Sequence, residues 1–234
     1  MDWSRHARVV DVASLPSGTL AITATTTRHE QLRKLGARPT TSWEELTTNL
    51  VISLPGSALQ AEALERLRGR PVERAVYVST VGFHFPYKGN VHAGSCPGSS
   101  ERASVAAMAE QRFSEWAGSR GVILRLGGLH AAGRGPSAVF QRRGTVRATP
   151  GNARLPLIHY ADAAQRVMAA LEGRTESVVL GVSEAPKRRH YYTTLAQRHG
   201  LQTPDFEADQ EAFDFDVGPA RSLLSQPALG PKSW

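Results

Sequence analysis

Five short runs of nearly continuous apolar residues punctuate the chain: Leu20 to Thr25, Leu50 to Leu54, Ala75 to Ser79, Val122 to Leu126 and Val178 to Val182. Runs of this length without polar alternation are the pattern of strands covered on both faces. Helix-start signals stand between them. Thr27 with Glu30, Ser42 with Glu45, and Ser57 with Gln60 each have capping-box spacing, in which a hydroxyl and a side chain three residues on satisfy one another's backbone donors. Gly36 and Gly200 follow helical stretches as stops. Strand and helix in alternation, with short connections, require right-handed crossovers and a parallel sheet. The predicted fold class is therefore α/β, a doubly wound parallel sheet.

The longest predicted helix runs from Glu101 to Ala117, capped by Ser99 or Ser100. Val105, Met108, Ala109, Phe113 and Trp116 share a stripe expected to face the core, and Ala103, Ala106 and Ala107 form a narrower stripe permitting close approach. Beyond Thr203 the sequence turns acidic (Asp205, Glu207, Asp209, Glu211, Asp214, Asp216), then Pro- and Gly-rich. A loosely packed tail is expected there. The expected organisation is one α/β domain over 1–203, with a small substrate-side lobe from about Leu129, followed by a tail over 204–234.

With 234 residues, a single core can form without a covalent staple. The single cysteine, Cys96, excludes an internal disulfide and a cysteine-based zinc site, and the eight His have no metal-ligand spacing. No apolar run approaches the roughly 18 residues of a membrane span, and the first residues lack the apolar core of a signal peptide, so a cytoplasmic protein is expected. The net charge of +7 comes from 24 Arg and 4 Lys that are scattered, with small clusters at Arg142, Arg143, Arg147 and at Lys187, Arg188, Arg189. No basic block of five or six residues forms, and no aromatics interleave with the clusters as a nucleic-acid platform would require. The excess suits a small anionic ligand such as a nucleotide better.

Several segments, in order, carry a resemblance: RAVYVSTVGFH from Arg74 to His84, the helix ending MAEQRF, the strand and loop VILRLGGLHAAGRGP, the segment LIHYADAAQRVMAALE, and VVLGVSEAPKRRHYYTTLAQRHGLQTP. Together they resemble the NAD-dependent epimerase/dehydratase type of short-chain dehydrogenase/reductase, particularly its atypical branch, over about residues 18 to 205. The resemblance implies a Rossmann-like domain with NAD or NADP, and often a nucleotide-linked sugar, at the carboxyl ends of parallel strands.

Two departures shape the functional expectation. The family's first strand leads into a Gly-rich turn that lets backbone approach the pyrophosphate. Here the only glycine before Gly36 is Gly18. If Arg8 to Val12 is a strand, Ala13 to Gly18 is too short for the crossover helix of a parallel connection, which takes at least about 10 residues. The first βα unit is expected to be shortened, either because the true start lies upstream or because dinucleotide binding has been given up. An in-frame Gly-rich strand-turn-helix upstream of Met1 would separate the two. The second departure is at the catalytic pair. The family's pattern is a Ser or Thr at the end of a strand, then Tyr and Lys four apart on the following helix. Thr80, with Ser79 as the alternative, matches the hydroxyl, whereas Arg102 stands at the Tyr position and Ala106 at the Lys position. A guanidinium does not give up its proton near neutral pH, and a methyl carries no charge. A strand-end hydroxyl that merely satisfies backbone groups is the alternative reading of Thr80.

By the same resemblance, Thr26 and Arg28 follow the second strand, where NADP is selected by its 2′-phosphate. The competing reading makes Thr27 a cap and Arg28 a solvated first-turn residue. Pro55 and Ser57 lie on the crevice side after the next strand, with Ser57 equally a cap. His130 and Arg134 resemble the loop contacting substrate or nicotinamide, while Arg154 and His159 resemble a sugar-nucleotide phosphate contact. Tyr87 and Lys88 are adjacent and point apart on an extended chain, which argues against a joint catalytic role. His92 and Cys96 share their loop, where a thiol without an activating partner is incidental.

Three functional expectations remain. The first is an epimerase/dehydratase-like protein impaired in cofactor binding and hydride transfer that still binds a nucleotide or sugar-nucleotide. The second is an active oxidoreductase or epimerase using Thr80 with an unorthodox proton donor. The third is a non-enzymatic protein whose exposed sheet edge pairs with another chain, for instance as a homo-oligomer.

Overall fold

The computed structural model describes residues 20–23, 26–34, 36–45, 47–54, 57–146 and 148–218. The segment Arg8 to Val12 lies outside them, as do Thr25, Pro55 and Arg147.

Four of the five apolar runs build one parallel sheet. Strands β3 (Asn49–Ile52), β4 (Arg74–Thr80), β6 (Gly121–Leu126) and β9 (Val178–Gly181) lie side by side in the order β3-β4-β6-β9. The register pairs Val76 with Val122 and Leu124 with Val179. The fifth run supplies β1 (Leu20–Ile22), which pairs in parallel with β2 (Arg38–Thr40) in a separate two-stranded sheet. Successive side chains of β4 point to opposite faces, so each face acquires its own apolar layer. Tyr77 packs with Leu50, Ile52, Leu64, Leu67, Phe113 and Ile123 beneath α2 (Ser57–Leu67) and α3 (Glu101–Ala117). Val76 packs on the other face with Val122, Leu124, Ile158, Val167 and Val179 beneath α5 (Tyr160–Leu171). The arrangement is the predicted doubly wound, Rossmann-like sheet with helices on both faces.

The smaller elements gather at the carboxyl ends of the strands. β7 (Gly128–His130) pairs in parallel with β8 (Leu157–His159), and α4 (Pro136–Arg143) and α6 (Arg188–His199) close over them around Phe140, Leu157, Tyr191 and Leu195. α1 (His29–Lys34) follows Thr27, α2 begins at Ser57, and Gly36 and Gly200 adopt the positive φ expected of helix stops.

Three expectations need correction. Ser42 starts no helix: its hydroxyl accepts from the Glu44 amide at 3.1 Å within a turn, and β3 begins too soon afterwards for a helix to fit. In α3, which has the predicted bounds and is capped by Ser100, Val105 and Met108 are 38% and 56% exposed. The face turned inward carries Ala103, Ala109, Glu110, Phe113 and Ala117. The hydrophobic stripe was misjudged because a carboxylate, Glu110, holds one of its inner positions. The acidic tail is not loose throughout: β10 (Phe213–Phe215) pairs in parallel with β5 (Gly89–Val91), burying Phe213 and Phe215 against Val91 and Val182. Alternation of Phe, Asp, Phe sends both rings inward and the carboxylate outward.

The corrected face of α3 can be tested by a pair of truncations. Phe113→Ala removes a fully buried ring stacked 5.1 Å from Tyr77 and is expected to cost about 3–5 kcal/mol. Met108→Ala, on the solvent side, should stay within about 0.5 kcal/mol. Urea denaturation midpoints of the two variants check the contrast.

Candidate functional site

The carboxyl ends of β4 and β6 carry the residues on which the functional expectation rests. Thr80 ends β4 and caps a short 3-10 turn over Val81–His84, its Oγ1 accepting from the Gly82 amide at 3.1 Å. From the first turn of α3, Arg102 reaches across and donates from Nη2 to the same Oγ1 at a long 3.4 Å. The contact is possible because residue 82 has no side chain: a Cβ there would sit 2.7 Å from Arg102 Nε. Ala106 is half-buried one turn further along. Thr80 therefore satisfies a backbone donor and also meets the guanidinium.

Ser79 is committed elsewhere. Its hydroxyl donates to Glu110 Oε1 at 2.5 Å. Glu110, 4% exposed, receives Arg125 of β6 through Nε at 3.1 Å and Nη2 at 2.7 Å. The other arm of Arg125 donates to the Ala93 carbonyl at 2.9 Å and lies 3.3 Å from His84 Nε2, while the guanidinium covers the Phe83 ring at 3.4 Å. His84 Nδ1 lies 3.1 Å from the Cys96 carbonyl, which fixes it as the protonated nitrogen and leaves Nε2 to accept from Arg125. Burial holds the His84 pKa down to about 4. The network ties the loop bearing His92 and Cys96 to the sheet beneath Thr80. Neither Glu110 nor Arg125 is among the candidates that the sequence offers. An arginine inside the run VILRL was the available signal, since a buried charge demands a partner.

The remaining candidates are dispersed. Thr26 and Arg28 are exposed after β1, and the Thr26 carbonyl accepts from the His29 amide at 2.9 Å. Pro55 is outside the described residues, and of Ser57 only its place at the start of α2 is described. His130 is 1% exposed, edge-on to His159 at 5.4 Å, and its Nε2 has no hydrogen-bond partner. His159 caps α5, its Nδ1 accepting from the Ala161 amide at 3.2 Å. Arg134 is exposed, with its guanidinium 5.7 Å from the centroid of the Tyr160 ring. Arg154 is engaged by the tail: Nη2 meets Asp214 Oδ2 at 2.7 Å and Nη1 donates to the Ala185 carbonyl at 3.0 Å. Tyr87 packs on Phe213 and Phe215, its pKa raised by burial, and Lys88 is exposed. A second polar group went unnoticed in the sequence. Asp162, its pKa raised by burial, accepts from the Ser183 hydroxyl at 3.2 Å, near the fully buried Arg166.

No group of three or more His, Cys, Asp or Glu able to hold a metal occurs among the described residues, and no helix there is long and apolar enough to cross a membrane. No family model and no curated protein matches the sequence. Solved structures do match. MoeE5 in complex with UDP-glucose and NAD superposes with a TM-score of 0.67 at 17% identity, over 93% of this chain and 96% of that one. A conserved protein of unknown function from Silicibacter pomeroyi gives 0.70 at 21% identity, over 97% and 93%. UDP-glucuronic acid 4-epimerase from Bacillus cereus, in complex with UDP-glucuronic acid and NAD, gives 0.65 at 14% identity, over 92% and 88%. At these identities the likeness is one of fold, and the fold is the Rossmann-like one of these NAD-bound epimerase structures.

The two buried histidines predict an acid sensitivity. Burial lowers His84 and His130 to about 4, below the ordinary value of about 6.5 that an unfolded chain restores. Between those values the unfolded state binds more protons, so stability is full above about pH 6.5 and declines as pH falls towards 4. His130→Leu, which removes an unpartnered nitrogen, is expected to be neutral or stabilising near neutral pH and to flatten that decline. Urea midpoints at about pH 7 and about pH 5 check both statements.

Proposed function

We propose that this protein binds a nucleotide-linked sugar at the carboxyl ends of β4 and β6 and does not itself transfer hydride. The carrying observation is the Arg102 guanidinium resting against Thr80 Oγ1. General acid/base catalysis needs a group that changes protonation near the working pH, and guanidinium does not. Ala106 supplies no charge that would tune a neighbour. The residues meeting at Thr80 therefore do not fit nicotinamide chemistry, and no step through a dinucleotide is derived for them.

Ligand binding is supported differently. The carboxyl ends of open parallel sheets form crevices whatever chemistry they host. Here that region carries Arg102, Arg134 and Arg188, and MoeE5, with the same fold, holds UDP-glucose. Arg28 at the end of the β1 loop would be the contact for an NADP 2′-phosphate if a dinucleotide bound.

Thermal denaturation tests the proposal. A ligand at 100 times its dissociation constant stabilises a protein by about 2.7 kcal/mol, roughly 5 to 11 °C for a chain of this size. UDP-glucose or UDP-glucuronic acid is expected to give a shift of that order at saturation, and NAD or NADP a far smaller one. A full shift with NADP that Arg28→Ala abolishes would overturn the proposal.

A further inference from the structure

We propose that Thr80 and Arg102 form an oxyanion seat, so that the sugar bound here carries an acidic group, a carboxylate or a phosphate, at the reacting end of the crevice. This inference rests on the nucleotide-sugar reading. A hydroxyl has two acceptor lone pairs and one proton. Both acceptor positions of Thr80 Oγ1 are taken, by the Gly82 amide at 3.1 Å and by Arg102 Nη2 at 3.4 Å, so its proton is left to donate outward. Arg102 has five N–H donors, of which one is spent on Thr80, and it meets no carboxylate among the described residues. What the pair offers a ligand is donors only, with a positive charge. A neutral sugar hydroxyl placed there would find no acceptor for its own proton, whereas a carboxylate or phosphate oxygen accepts from both groups.

The guanidinium occupies space that a side chain at position 82 would take. It lies against the bare Cα of Gly82, where a Cβ would come within 2.7 Å of Nε and 3.1 Å of Cζ. A second cation, Arg188, adds to the field, since both arginines act on the hydroxyl of Tyr87, whose ring packs on Phe213 and Phe215 of β10. Arg154 does not compete for the ligand's acid, because Asp214 already neutralises it at 2.7 Å.

Titration calorimetry on the full chain separates the outcomes. The ligands are UDP, UDP-glucose, UDP-glucuronic acid, free glucuronate and glucose 6-phosphate, and the proteins are wild type, Arg102→Gln and Gly82→Ala. Gly82 has an ordinary φ, and the atoms nearest an added methyl belong to the movable end of Arg102, so this variant should fold while displacing the guanidinium. The expected result is that UDP-glucuronic acid binds wild type at least about tenfold more tightly than UDP-glucose, a difference of about 1.4 kcal/mol, and that both variants abolish the preference. Equal affinities in wild type, or a preference surviving in both variants, overturn the seat. If UDP binds and the acid preference is missing, the seat fails and the nucleotide reading stands. If UDP does not bind while free glucuronate or glucose 6-phosphate binds through Arg102, the nucleotide reading fails and the seat stands. The stronger of those two small anions identifies the acid.

Discussion

The carboxyl end of the sheet depends on one buried ion pair, Glu110 with Arg125. Two charges taken from water this deeply are tolerable only if nearly every polar atom finds a partner, because the desolvation of each ion costs several kcal/mol. The partners are present: Ser79 for the carboxylate, the Ala93 carbonyl and His84 for the guanidinium, and the Phe83 ring beneath it. The partners come from several parts of the chain, so the pair joins α3, β4 with the turn after it, β6 and the loop after β5 in one constellation. Removing a single member would leave an uncompensated buried charge, typically a loss of 3–5 kcal/mol. Thr80 follows Ser79 on β4, and Arg102 stands about two turns before Glu110 on α3, so the strand and helix that meet at Thr80 are the ones this pair joins.

A second set of contacts shapes the substrate side. The acidic tail is stitched across the loop between α4 and β8. Asn152 donates to the Gln210 carbonyl at 2.7 Å and accepts from its amide at 3.1 Å, and Asp209 reaches Arg189 at 3.3 Å. These pairs are exposed and individually weak, worth about 1 kcal/mol or less. The holding force comes from Phe213 and Phe215, buried against Val91, Leu180 and Val182. Arg154 is consequently neutralised by the protein's own Asp214.

Much of the architecture was legible because it follows from local pattern. Four buried strands announce themselves as apolar runs, and α3 announces its start with the serines before Glu101, of which Ser100 is the cap. The three-residue strands β5, β7, β8 and β10 did not, because each exists only through a partner distant in sequence, 124 positions apart for Phe213 and Gly89. The tail misled because composition marks six carboxylates as solvated and says nothing of the two phenylalanines between them. Val105 and Met108 misled because periodicity rewards apolar side chains and cannot foresee that Glu110 goes inward with a buried arginine. At the site, the resemblance sets Thr80 at the hydroxyl position and Arg102 at the Tyr position, and the contact between the two side chains is read from the folded structure. The occupation of Ser79 and of Arg154 by carboxylates from elsewhere in the chain could only come from the folded structure.

The central claim is that the crevice binds without exchanging hydride. Its most direct test is a single-turnover mixing experiment, with the protein at stoichiometric concentration against a nucleotide sugar and NAD, followed through the absorbance of reduced nicotinamide. The account predicts no such absorbance, while the sugar ligand is bound in the same sample as judged by equilibrium dialysis. Formation of reduced nicotinamide in proportion to the protein would show that a proton acceptor other than guanidinium serves Thr80, and would contradict it.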